Sequence, residues 1–291
     1  MQLEDKRQKR VLSIQDISCV GRCSLTVALP IISAAGIETS IMPTAVLSTH
    51  TGGFTGFTYR DLTEDLLPIV NHWKTLDIHF DAIYTAFLGS LPQIEIVKEV
   101  ISKIKKTDTL IVVDPAMADD GKLYSIFPPN FPEGMRKLVE IADVIVPNMT
   151  EASMLLGEDY KKGPYTKEYI EGILGKLSVL GPKTVVLTGV YFNEEKLGTA
   201  CFEVQTGEIN YAMQRKIEGS FHGTGDVFAS SLVAAVESGL TIQKACEVAT
   251  GFVVGAIERT LAAKTDIRFG VNFEAGLGEL ARELNLKSTL V

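Results

Sequence analysis

The residues best suited to chemistry in this chain lie in the run Gly219-Ser220-Phe221-His222-Gly223-Thr224-Gly225-Asp226. Glycine lets a backbone bend where a side chain would clash. Apolar residues at Val227, Phe228, Leu232 and Ala235 then follow at the spacing of a half-buried helix. A helix that starts at such a bend turns free N–H groups and the positive end of its dipole toward whatever lies there. That is an anion site, and phosphate is the usual anion. A carboxylate at its mouth would repel a phosphate that was merely bound. Asp226 fits better as the group that accepts a proton from a hydroxyl attacking that phosphate. The plainer alternative is a tight turn with Asp226 as helix cap.

Other polar residues stand where apolar runs stop. Asp114 closes the run Thr109–Val113, and Asp119 follows five residues on. Carboxylates at a strand mouth suit a hydrated Mg²⁺ that bridges phosphates, or else an acidic surface loop. Asn148 ends the run Asp143–Pro147, with Glu151 three residues later, so the pair reads either as a phosphate and Mg²⁺ contact or as a capping box. Thr188 stands near the end of Thr184–Gly189. His50 and Thr51, in Leu47-Ser48-Thr49-His50-Thr51-Gly52-Gly53-Phe54, are placed to stack on and hydrogen-bond a planar ring, or simply to hold a loop. His222 reads as an exposed loop residue, and Cys19 and Cys23 as buried, inert thiols.

The elements that must position these groups alternate strand and helix. Strands are expected over Val11–Gln15, Ile37–Pro43, Asp81–Gly89, Thr109–Pro115, Asp143–Asn148 and Thr184–Gly189, with a hairpin near Thr199–Val204 and Glu208–Met213. Helices are expected over Arg22–Ala35, Asp61–Lys74, Pro92–Lys106, Met135–Ala142, Thr150–Leu156, Lys167–Leu180, from the glycine turn to Ser238, over Ile242–Leu261, and over Phe273–Leu284. Asp16–Gly21 and Thr44–Tyr59 read as loops, and Ala116–Pro132 as a flap. This alternation predicts a mainly parallel sheet with helices on both faces, whose ligands bind beyond the carboxyl ends of the strands.

The totals narrow the field. The 291 residues suit one large α/β domain, with residues 1–10 as a frayed tail. A net charge of −8 argues against nonspecific nucleic-acid or anionic-membrane partners. Four cysteines without zinc-site spacing point to a reducing, cytoplasmic setting, and no signal peptide or membrane-length apolar run is present. The chain lacks GxxxxGK[ST], GxGxxG after a strand, GxSxG, HExxH and a kinase HRD set.

The ordered set Ser13-Ile14-Gln15-Asp16, Ser48-Thr49-His50-Thr51-Gly52, Asp114-Pro115 with Asp119-Asp120-Gly121, Val146-Pro147-Asn148 with Thr150-Glu151-Ala152, Leu187-Thr188-Gly189, and Gly223-Thr224-Gly225-Asp226 resembles the pyridoxal/pyridoxine/pyridoxamine (vitamin B6) kinases of the ribokinase-like superfamily. The resemblance runs from about Val11 to Leu261. It implies a three-layer α/β/α sandwich, and ATP- and Mg²⁺-dependent phosphorylation of the 5′-hydroxymethyl group of a B6 vitamer; a monovalent cation such as K⁺ is a further candidate. Asp226 would be the general base, and the amides of Gly223, Thr224 and Gly225 the anion hole. Asp114 and Asp119 would lie by the metal and phosphates. Asn148 and Glu151 would serve the Mg²⁺ and phosphate network, and Thr188 the ATP phosphates. Asp16, His50, Thr51 and Phe87 would line the pyridine pocket, and Asp119–Phe127 would form a lid. Members are usually homodimers.

The chain departs from this pattern at Asp16, where many members carry Ser or Thr, and in the segment Arg22–Pro30. Related pyrimidine kinases keep a hydroxymethylpyrimidine acceptor open. A sugar kinase or a non-catalytic vitamer- or nucleotide-binding protein on the same fold are the remaining alternatives.

Overall fold

Short apolar runs such as Leu110-Ile111-Val112-Val113 cannot show a polar face to water, so they form strands covered on both sides. A computed structural model describes residues 7–285. In chain order the elements are β1 (Arg10–Val20), α1 (Leu25–Ala34), β2 (Glu38–Thr49), β3 (Tyr59–Asp61), α2 (Thr63–Thr75), β4 (Ala82–Thr85), α3 (Leu91–Ile104), β5 (Leu110–Val113), β6 (Ala118–Asp119), β7 (Lys122–Leu123), α4 (Phe131–Val139), β8 (Val144–Ile145), α5 (Met149–Leu156), α6 (Lys167–Ser178), β9 (Thr184–Val190), β10 (Lys196–Glu203), β11 (Glu208–Arg215), α7 (Thr224–Glu237), α8 (Ile242–Ala262) and α9 (Leu277–Asn285).

Nine strands form one sheet in the order β11-β10-β9-β8-β5-β4-β1-β2-β3. The six from β9 to β2 run parallel, while β10, β11 and β3 pair antiparallel at the two sides. From β1 the chain steps one way to β2 and the other way to β4 and beyond. The C-terminal ends of β1 and β4 therefore flank a topological switch point, where a crevice opens. Alternate residues split the core in two. Leu12, Ile14, Ile83, Ile111, Val113 and Leu187 pack under α2–α6. Val11, Ala82, Tyr84, Val112 and Val186 pack under α1, α7 and α8. This is the expected α/β/α layering around a mainly parallel sheet.

Three expectations need correction. Asp16–Gly21 is not a loop up to Val20: β1 continues, and β2 continues with it to Thr49, paired as Ile17 with Val46, Ser18 with Leu47 and Val20 with Thr49. Asp16 disguises this extension, but pairing satisfies its backbone and leaves Ser18 and Ala45 buried. The flap is shorter than Ala116–Pro132. It holds the hairpin β6–β7, turned by Asp120 and Gly121 at φ 47° and 75°, and α4 begins within it. Pro132 lies in the first turn of α4, where its missing N–H costs nothing, so it starts the helix instead of excluding it. Finally, Cys19 is exposed, not buried.

Of the expected frayed tail, residues 1–6 lie outside the described residues. Arg7 forms a two-pronged ion pair with Asp81, and Arg10 another with Glu38.

Candidate active site

Gly223 caps α7 with φ 76°, and a Cβ there would stand 2.2 Å from the carbonyl oxygen of Arg22. Only glycine meets both demands. Asp226 is thus the third residue of the helix, not its cap, and it forms no capping hydrogen bond. The N–H groups of Gly223, Thr224 and Gly225 find no acceptor among the described residues, while the Thr224 hydroxyl donates to the Phe221 carbonyl at 3.0 Å. The turn therefore offers a set of free amides with a carboxylate beside them. Burial is the largest influence on Asp226 and raises its pKa; a hydrogen bond from the Ser24 backbone opposes this, and the Asp16 charge adds to it. The outcome is a pKa raised to about 7, near the optimum for a base at neutral pH.

A cavity of about 380 Å³ opens in front of this turn. Asp114, Asp119, Asn148, Glu151, Thr188, Gly223, Thr224, Gly225 and Asp226 all line it, so the structure brings these nine predicted site residues together. Asp114 lies one residue beyond β5, and its carboxylate accepts no hydrogen bond among the described residues. Burial first, then the charges of Glu151 and Asp226, push its pKa well up. Glu151 is bound differently. Its Oε2 accepts from the Asn148 N–H at 2.8 Å and its Oε1 from the Met117 N–H at 3.1 Å. Burial outweighs those bonds and lifts its pKa to about 8.

The capping box is real. Asn148 Oδ1 accepts from the N–H groups of Thr150 and Glu151, and its Nδ2 donates to the Ala118 carbonyl at 2.8 Å. Asn148 and Glu151 thereby fasten the base of the β6–β7 hairpin to α5. Thr150 adds a third tie by accepting from the Gly121 N–H at 3.0 Å. At its other end the Asp119–Phe127 segment is held by Phe127, stacked on Phe131 with ring centroids 3.8 Å apart. The Thr188 hydroxyl donates to the Pro147 carbonyl only at 3.4 Å.

Among the described residues no group of three or more His, Cys, Asp or Glu side chains is arranged to hold a metal. A Mg²⁺ that takes most of its six oxygens from phosphates and water needs only one or two carboxylates. The unbonded, buried carboxylate of Asp114 fits that part. Glu151, with both oxygens engaged by amides, fits a contact through water.

The acceptor-side residues lie elsewhere. Asp16, His50, Thr51 and Phe87 do not line this cavity. Asp16 is 3% exposed and accepts from the Ser18 hydroxyl at 3.1 Å. Burial raises its pKa against hydrogen bonds from Ser24 and Ser18. Its charge helps to raise the pKa of Asp226, Cys23 and Tyr59. His50 has both ring nitrogens engaged. Nε2 lies 2.6 Å from the Arg268 carbonyl and donates to it, which leaves Nδ1 to accept from the Gly52 N–H at 3.2 Å. Its observed work is to hold the loop. Phe87 packs 5.6 Å from the Phe127 ring.

Several residues in or near the site were not singled out from the sequence. Tyr124 lines the cavity, and its hydroxyl is held protonated by burial and by the charges of Glu151, Asp119, Asp114 and Asp226. An aromatic residue in an Asp- and Gly-rich flap was the available signal. Tyr59 has its pKa pushed up to about 12 by burial, Asp61 and Asp16, and its hydroxyl abuts Gly89. Apolar side chains such as Leu197, Ile217, Val253 and Ile257 give the cavity a wall suited to a planar ring.

Comparison with known proteins gives the family and the fold. The family model described as phosphomethylpyrimidine kinase matches residues 29–269. A Bacteroides thetaiotaomicron protein classed among phosphomethylpyrimidine kinases, solved in a crystal form with pyridoxal, is 37% identical at a TM-score of 0.90, covering 94% of this chain and 96% of that one. Pyridoxal kinase from Lactobacillus plantarum is 30% identical at a TM-score of 0.86, covering 97% and 98%. The pyridoxal kinase of Arabidopsis thaliana is 27% identical, covering 87% of this chain and 82% of its own length.

Proposed function

This chain belongs to the phosphomethylpyrimidine kinase family, in the vitamin B6 kinase branch of the ribokinase-like superfamily, and from that premise we propose that it transfers the γ-phosphoryl group of ATP to the 5′-hydroxymethyl group of a B6 vitamer. The observation that carries this reading is Asp226. It is a carboxylate of pKa about 7 beside three unbonded backbone amides, at the end of a cavity with an apolar wall. A protein that only bound phosphate would gain nothing from a negative charge there.

Asp226 takes the proton of the acceptor hydroxyl as its oxygen attacks the phosphorus. The free amides of Gly223, Thr224 and Gly225 hold the equatorial oxygens, whose charge is spread in the transition state. Thr188 meets the nucleotide phosphates. Asp114 and Glu151 are the residues that would hold a Mg²⁺, which would supply charge neutralisation on the phosphates. The Asp119–Tyr124 segment covers them and keeps water out. Asp16 meets a polar group of the acceptor ring.

A hydroxymethylpyrimidine acceptor is the second reading, favoured by the description of the matching family model. A coupled assay of ATP consumption with pyridoxal, pyridoxine, pyridoxamine and hydroxymethylpyrimidine separates the two. The expected result is turnover of at least one B6 vitamer with a higher kcat/KM than the pyrimidine. Turnover of the pyrimidine alone would overturn the vitamer assignment.

A further inference from the structure

His222 stands between the nucleotide cavity and the loop that follows β2. It lines the cavity directly before Gly223. Its ring lies against Gly52, where a Cβ would come within 2.9 Å of both Cε1 and Nδ1. The glycine therefore leaves space that the imidazole fills. The His50 ring lies 5.2 Å away. Unlike His50, His222 makes no hydrogen bond and no ion pair among the described residues, so both ring nitrogens are unspent.

The charges around it point to what it serves. Asp114, Asp119, Glu151 and Asp226 line the same cavity. Two cationic side chains line it as well, but Arg215 is paired with Glu258 and Lys216 with Glu194. Lys216 also sits 4.4 Å over the Tyr191 ring. A phosphoryl group crossing from the cavity to an acceptor beside Gly52 passes this imidazole, with no unpaired Lys or Arg lining the cavity to meet it. Its charge there can be met by the backbone amides, a metal ion, or a donor such as His222.

We propose that His222 is a catalytic residue, donating a hydrogen bond from its ring to an oxygen of the phosphoryl group in transit and binding it more tightly in the transition state than in bound nucleotide. The assignment rests on the kinase reading above. A contact made only in the transition state lowers kcat while leaving ground-state affinity in place.

The test compares wild type, His222→Ala and His222→Gln by kcat, by KM for ATP, by calorimetric affinity for MgADP, and by inhibition with MgADP plus aluminium fluoride in the presence of the accepted vitamer. Loss of one such donor is expected to cost about 100- to 1000-fold in kcat. His222→Ala should lose a similar factor in affinity for the aluminium fluoride complex, and stay within about threefold of wild type for MgADP. His222→Gln, which can still donate, should recover much of both losses. A kcat within about threefold of wild type in His222→Ala overturns the proposal. So does an equal loss of kcat and MgADP affinity, or a melting temperature that falls in step with activity, because either would mean packing against Gly52. Absence of wild-type turnover with every alcohol tested is a different result: it overturns the kinase reading and takes this assignment with it.

Discussion

Asp114, Asn148, Thr188 and Asp226 each sit within a few residues of a strand end or a helix start, whereas Asp16, His50 and Thr51 sit on an extended strand pair and the loop it feeds. In the first group the backbone dictates where the side chain goes, because strand ends and helix N-termini lie at the crevice in any sheet of this topology. In the second group Asp16 and His50 spend hydrogen bonds on neighbouring residues, Asp16 with Ser18 and His50 with Arg268 and Gly52. On the proposed reading, the first group would carry chemistry common to any phosphoryl transfer and the second would shape the space an acceptor must fit.

The sharpest way to break this contrast is Asp226→Asn. Loss of the base should lower kcat by about 10³-fold with MgADP affinity, read by calorimetry, nearly unchanged. A kcat within tenfold of wild type would put the base elsewhere. Asp114→Asn should lower kcat by about 10²-fold and also stabilise the protein. Its carboxyl has a pKa raised by burial, so the folded chain holds that proton more tightly than the unfolded chain. Stability is then lost as pH climbs above the ordinary Asp value toward the folded one. The amide should therefore melt about 3 °C higher at pH 8, with the gain shrinking toward pH 4. A lower melting temperature at pH 8 would show that Asp114 is stabilised by its surroundings.

Smaller effects test how separate the halves are. In wild type kcat/KM should fall toward tenfold per pH unit below about 7, as Asp226 takes up its proton. Asp16 contributes to raising that pKa, so Asp16→Asn should move the acid limb to lower pH. A limb that stays in place would mean that the two carboxylates do not sense each other. Least in size, Asp16→Ser should change the relative kcat/KM among pyridoxal, pyridoxine and pyridoxamine by about fivefold or more. Unchanged ratios would remove Asp16 from the acceptor side.

The same contrast explains what could be read from the sequence. Asp114, Asn148, Thr188 and Asp226 were legible because β5, β8, β9 and the start of α7 are marked by buried apolar runs or a glycine turn, and the polar residue follows at once. The choice at Asn148 and Glu151 was not decidable, since a capping box, which the structure shows, and a metal-side carboxylate use the same two residue types at the same spacing. The β1–β2 extension was illegible because its stabilisation comes from pairing between segments about thirty residues apart, and Asp16 at the start of the β1 part is a residue that strands disfavour. His222 and Tyr124 gave only weak hints, because what distinguishes them is which distant groups the fold brings beside them.

The close approach of Gly223 to the Arg22 carbonyl has a consequence for how the molecule is made. A Cβ at Gly270 would also meet that carbonyl, at 2.7 Å, and the Arg22 N–H donates to the Phe269 carbonyl at 2.9 Å. One peptide near the N-terminus is thus gripped by two segments that are synthesised some two hundred residues later. On the ribosome the first strands emerge long before the pieces that complete the phosphate cradle. The cradle closes only once the chain has been made as far as Gly270, so a nascent chain can hold much of its sheet while its phosphate cradle is still incomplete.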